Sequence, residues 1–185
     1  MSGPKPSRRR VSIHDASAWV FNRMADVYDA RPPYPPALID ALCGLATVAG
    51  RRIGDLGAGI GHLALPLAAR GFELTAIEPA QQMLTRLSAR AREQGVSIRT
   101  LHAAAEALPL EQGSLDLVLI ADALHFIDTE LAAREIARVL VARGTLAVLT
   151  CRGASKKRRQ ASFHGRPRNA TSRRASVSVL ATTAS

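Results

Sequence analysis

An α/β fold, a parallel sheet with helices on both faces, is predicted by three observations. From Arg52 to Thr150 short apolar runs alternate with segments whose apolar residues recur at helical spacing. Such alternation implies right-handed crossovers between parallel strands. A glycine-rich stretch, Ile53-Gly-Asp-Leu-Gly-Ala-Gly-Ile-Gly-His62, follows the first apolar run and leads into another, Leu63 to Ala69. This order reads as a buried strand turning sharply into a helix, with side chains stripped from the turn so that a ligand can lie on the backbone. Finally, 185 residues that are 47% apolar and 22% charged suit one globular domain with its own core.

The elements follow in order. Residues 1–11 hold Pro, Ser and Arg and read as a disordered leader, and 12–150 form the core. Trp19, Val20, Met24, Val27 and Tyr28 fall at helical spacing within Ile13–Tyr28, a helix that must end before Arg31-Pro-Pro-Tyr-Pro-Pro36. Pro36 suits the first turn of the next helix, with Leu38, Ile39, Leu42 and Leu45 on one face. Strands are expected at Arg52–Leu56, Phe72–Ile77, Val96–Leu101, Leu115–Ile120 and Gly144–Thr150. Helices are expected at Gly61–Arg70, which Pro66 should kink or shorten, at Ala80–Gln94, and after a cap at Asp128 or Thr129.

The net charge of +10 is unevenly placed. Lys5, Arg8, Arg9 and Arg10 stand in the leader, and residues 151–185 carry nine basic side chains and no acid. The body, residues 11–150, has twelve arginines against all 15 acidic residues and is therefore −3. Residues 151–185 read as a basic disordered tail with no strand period until Val177-Ser-Val-Leu180. Its basic, serine-rich motifs and the Asn169-Ala-Thr171 triplet arise readily by chance in such composition. Two cysteines far apart, Cys43 and Cys151, in no metal-ligand spacing, fit a reduced cytoplasmic setting and no metal site. No apolar run reaches the ~18 residues of a membrane span.

The glycine turn selects its ligand. Counted from Gly57, the sixth position of a dinucleotide fingerprint is His62, so that pattern fails. What stands instead is Asp-x-Gly-x-Gly-x-Gly over Asp55, Gly57, Gly59 and Gly61. A carboxylate here would repel a pyrophosphate but pair with an ammonium group. Glu78, at the end of the next strand, is placed to accept hydrogen bonds from both hydroxyls of a ribose. A ligand with an amino group and a ribose fits both.

These residues, with Ala25-Asp-Val-Tyr-Asp-Ala-Arg-Pro-Pro-Tyr-Pro35, Ala76-Ile-Glu-Pro79, Ala105-Glu-Ala-Leu-Pro109 and Ala123-Leu-His-Phe126, resemble the class I S-adenosylmethionine-dependent methyltransferases. More narrowly, they are similar to the ubiquinone/menaquinone-biosynthesis-like (type 11) group. The resemblance implies a Rossmann-like fold, S-adenosylmethionine as cofactor and a small-molecule methyl acceptor. It implies that Asp55, Gly57 and Gly59 hold the methionine part, with Ala58 and Gly61 in the same turn. Glu78 would hold the ribose with Pro79 beside it, the backbone near Ala105 and Glu106 the adenine, and Tyr28, Arg31 and Tyr34 would lie over the cofactor.

His125, after the fourth strand, is the candidate base, with His14 behind it, while Asp116 and Asp122 read as polar strand ends. Ala104 stands where the family carries an acid for the adenine amino group, so weaker binding or a neighbouring substitute is expected. The family also continues past its fifth strand with a helix and an antiparallel hairpin. That hairpin is expected to be missing, through truncation or a shifted frame after Thr150, leaving the fifth strand as an open edge. A non-catalytic remnant and a basic nucleic-acid-binding protein, binding only through the tail, are the alternative readings.

Overall fold

A computed structural model describes Tyr28, residues 30–152 and residues 176–183. The leader, His14, nearly all of the first expected helix and residues 153–175 lie outside the described residues.

Helix α1, Pro36–Ala49, opens with proline in its first turn and buries Leu38, Ile39, Leu42 and Ala46. Strand β1 is Arg52–Leu56, α2 Ala64–Ala68, β2 Glu73–Ile77 and α3 Gln81–Glu93. Then come β3 at Arg99–Leu101, β4 at Leu115–Ala121, a 3-10 turn at Leu124–Phe126, α4 at Thr129–Val139, β5 at Leu140–Arg152 and β6 at Ser176–Thr183. The cap of α4 is Asp128, whose carboxylate accepts from the backbone N–H groups of Glu130 and Leu131, as capping carboxylates do.

The strands lie in the order β3-β2-β1-β4-β5-β6, and the first five are parallel. Alternation along β4 shows why both faces need helices: Leu117 and Leu119 pack with α1 and α2, whereas Val118 and Ile120 pack with Ala132, Ile136 and Val139 of α4. At the strands' amino ends Asp116 takes the Arg52 guanidinium (2.6 Å) and the Arg52 backbone N–H (3.0 Å), so it is a strand-end anchor as read from the sequence.

Three expectations need correction. Helix α2 is five residues, not ten. Residues 61–63 are spent in the glycine turn, so Pro66 falls in the helix's first turn, where a missing N–H costs nothing. Strand β3 begins at Arg99 rather than Val96, and β5 begins at Leu140, directly after α4, rather than Gly144.

The third correction concerns the edge of β5. Residues 176–183 were expected to belong to a disordered tail, yet they form an antiparallel strand in register with β5 from Thr145↔Thr183 to Arg152↔Ser176. The alternating Val177-Ser-Val-Leu180 pattern suits a strand, and its ladder pairs backbone groups that an open edge would leave to water. β6 thus stands on the edge that the resemblance assigned to the missing hairpin.

Candidate functional site

β1 connects on one side to β2 and borders β4 on the other, so the strand order reverses between β1 and β4. Ligands of open parallel sheets bind beyond the strands' carboxyl ends at that reversal. There Ala121, at the end of β4, lines an open cleft together with Gly57, Glu78 and Ala103–Ala105. A smaller recess of about 320 Å³ adjoins it, bounded by Asp55, Gly57, Gly59, Tyr28 and Arg31.

The glycine turn forms the floor. Gly57 and Ala58 both donate their N–H to the Ile77 carbonyl, at 2.8 and 3.2 Å, which pins the turn to the end of β2. Gly57 has φ 73°, and a Cβ there would stand 2.6 Å from that of Ala123, so this position admits only glycine. Gly59 donates its N–H to Glu78 Oε2 at 2.9 Å, and Ala80 donates to Oε1 at 2.9 Å. Glu78 is thereby fixed at the mouth of the turn.

Two carboxylates dominate the electrostatics. Asp55 is 2% exposed, and its carboxyl is pushed up to about 7, first by burial and then by the like charge of Glu78; the Ala64 N–H opposes this. Burial also raises the Glu78 carboxyl, against the N–H groups of Ala80 and Gly59 that favour its charged form. A cation in the recess would favour the charged form of Asp55 and offset its repulsion with Glu78.

Above the turn, Arg31 donates to the hydroxyls of Tyr28 (2.9 Å) and Tyr34 (3.2 Å) and forms an ion pair with Asp122. The Tyr34 hydroxyl also reaches Asp122 Oδ2 at 3.3 Å. Asp122 adopts a left-handed backbone, φ 52°, which is uncommon outside glycine and clusters at functional sites.

The structure therefore brings together Tyr28, Arg31, Asp55, Gly57, Ala58, Gly59, Glu78, Pro79, Ala105 and Glu106 around the two joined cavities. Gly61 turns away from them: a Cβ there would meet Leu65 and Leu87, so its place is in packing the turn against the core. His125 is exposed, sits tilted against Phe126 with ring centroids 3.8 Å apart and the planes at 45°, and does not line the cleft. Ala104 offers the cleft only its backbone and methyl, and Glu106 Oε1 accepts the Asp128 N–H at 2.7 Å.

Asp122, Met83 and Phe126 line the cleft without having been singled out as ligand contacts. For Asp122 a signal existed, because an acid just past a parallel strand's carboxyl end stands at the ligand's side of the sheet.

Residues 54–148 match the methyltransferase domain family. The chain belongs to that family. An uncharacterised methyltransferase of Mycobacterium tuberculosis is 40% identical over 144 residues, 77% of this chain and 54% of its own. The demethylmenaquinone methyltransferase of Thermus thermophilus is 41% identical over 104 residues, 55% of this chain and 47% of its own. Among solved structures, the YcgJ protein of Bacillus subtilis superposes with TM-score 0.56 at 29% identity, covering 64% of this chain and 52% of that one. The chain spans about half the length of the curated relatives it matches.

The family's cofactor is S-adenosylmethionine, and solved proteins of this fold hold it. The residues present fit it: a buried carboxylate for the ammonium group, Glu78 for ribose hydroxyls, and a cleft walled by Ala103, Ala104 and Ala105 where a flat ring can lie.

Proposed function

We propose that this methyltransferase core passes the methyl group of S-adenosylmethionine to a small-molecule acceptor, and that it falls in the ubiquinone/menaquinone-like group. Asp55, buried at the recess next to the cleft that Glu78 lines, carries the reading, because two neighbouring buried carboxyls are an unfavourable arrangement that a cationic ligand relieves. The Thermus thermophilus relative supports the subgroup. Residues 11–150 carry a net charge of −3, so the chain's basic excess lies in its two ends rather than in the body that holds the cleft, which favours a small acceptor over nucleic acid. No helix among the described residues is long and apolar enough to cross a membrane, consistent with the cytoplasmic placement we propose.

The bound sulfonium supplies an electrophilic methyl group. What the chain contributes is alignment and exclusion of water: Asp55 would hold the amino-acid end and Glu78 the ribose, and the Tyr28–Arg31–Tyr34 segment lines the recess. A neutral acceptor loses a proton as its bond to the methyl group forms, and because the sulfonium is already strongly electrophilic that proton can pass to solvent, so a dedicated side-chain base is optional. His125, exposed and outside the cleft, is not placed to act as one.

Incubation with methyl-tritiated S-adenosylmethionine and a panel of acceptors, demethylated quinones among them, tests the proposal. Label should pass into solvent-extractable small molecules. Label appearing instead in acid-precipitated RNA or protein would overturn the small-acceptor reading.

A further inference from the structure

The Arg31–Asp122 pair stands where the two cavities adjoin, Arg31 lining the recess that holds the site for an ammonium group and Asp122 lining the cleft beside it. Asp55 is at the floor of the recess, and Arg31 with the Tyr28 and Tyr34 hydroxyls is at its rim. A buried anion and a held guanidinium facing one small space are the complement of an α-amino acid zwitterion, ammonium toward Asp55 and carboxylate toward Arg31. Asp122 is itself a carboxylate. Its Oδ2 takes the two donors that a ligand carboxylate would seek there, Arg31 Nη2 and the Tyr34 hydroxyl.

We propose that Asp122 is an internal competitor for Arg31: in the free protein it occupies the place of the ligand's carboxylate, and ligand binding exchanges one carboxylate for the other. The inference rests on the reading that the cleft binds S-adenosylmethionine, whose amino-acid end supplies the zwitterion. Three features fit an exchangeable contact rather than a permanent brace. The pair is only partly buried, with the two side chains 30% and 19% exposed. Asp122 comes from the cleft wall after β4, whereas Arg31 comes from the segment before α1, so the ion pair joins two separate chain segments across the ligand space. Asp122 also holds a left-handed backbone, φ 52°, a conformation that is costly for a residue other than glycine and clusters at ligand-binding positions.

The exchange makes a signed prediction. Removing the Asp122 charge should help the ligand, because binding no longer breaks an ion pair. Asparagine keeps the side-chain shape and tolerates a left-handed backbone, so Asp122→Asn preserves the fold; thermal melting checks this. Calorimetric titration is done with S-adenosylhomocysteine, which carries the amino-acid end, and with 5′-methylthioadenosine, which lacks it. Asp122→Asn should bind S-adenosylhomocysteine about two- to fivefold more tightly than wild type, the scale of a partly exposed ion pair. Its affinity for methylthioadenosine should be unchanged. Arg31→Met should lose about tenfold or more for S-adenosylhomocysteine and little for methylthioadenosine. Weaker S-adenosylhomocysteine binding by Asp122→Asn, or equal changes for both ligands, would overturn the exchange while leaving the cofactor site standing. Failure of folded wild type to bind either ligand would overturn both.

Discussion

Asp55 is ionisable, buried and next to a second carboxylate, and its stability and binding effects have opposite signs. In the free protein it keeps its proton up to about pH 7, whereas an unfolded chain releases it near 4. The folded state thus binds more protons between those values, so stability from this group is present below about pH 4 and declines as pH rises toward 7. Asp55→Asn removes that loss and should raise the thermal midpoint of the free protein at pH 8 by about 2–4 °C or more. The ligand's ammonium wants the charged form. Affinity for S-adenosylhomocysteine should therefore fall roughly tenfold per pH unit below about 7 and level off above it. Titrations from pH 5.5 to 8.5 check the slope, which should vanish in the weakly binding Asp55→Asn.

Among the elements, the glycine turn and α4 carry the site through backbone contacts. Gly57→Ala would bring a Cβ to 2.6 Å from Ala123 and force φ 73° on a residue that resists it. We expect about 1–3 kcal/mol of lost stability by urea unfolding together with loss of ligand binding. On the far side, Glu135 accepts the Leu108 N–H at 2.8 Å while Arg138 donates to the carbonyls of Leu108 and Leu110. Those bonds fasten the loop beyond the alanine wall of the cleft to α4. The Glu135 carboxyl is held down at about 2, mainly by Arg138, so its stabilising part is present above about pH 4.5 and is lost as pH falls toward 2. Since Glu135 is partly exposed, Glu135→Ala should cost only about 1 kcal/mol at pH 7, measured by thermal melting, and less at pH 3. Most of these elements were legible in the sequence, because amphipathic periodicity and the glycine turn are local signals. Strand starts and the length of α2 were not: they depend on where a turn consumes residues and where a partner strand begins.

At the scale of the whole molecule, the sheet was legible as far as β5, and its far edge was misread. Composition alone made residues 151–185 a solvated tail, but β6 is specified by pairing with a strand more than twenty residues earlier, a tertiary fact that composition does not carry. Deleting residues 176–185 should expose β5 and lower the aggregation onset temperature in light scattering. The approach of Asp55 and Glu78 was legible, because each stands near the carboxyl end of one of two neighbouring parallel strands. The Arg31–Asp122 contact, 91 residues apart in the chain, was not. The central claim, that this cleft binds S-adenosylmethionine through that carboxylate pair, is tested most directly by calorimetric titration of the folded chain with S-adenosylhomocysteine at pH 7.5. Saturable one-to-one binding that weakens at least tenfold in Asp55→Ala and in Glu78→Ala is the predicted result, whereas absence of binding by folded wild type, or affinity indifferent to both substitutions, would contradict it.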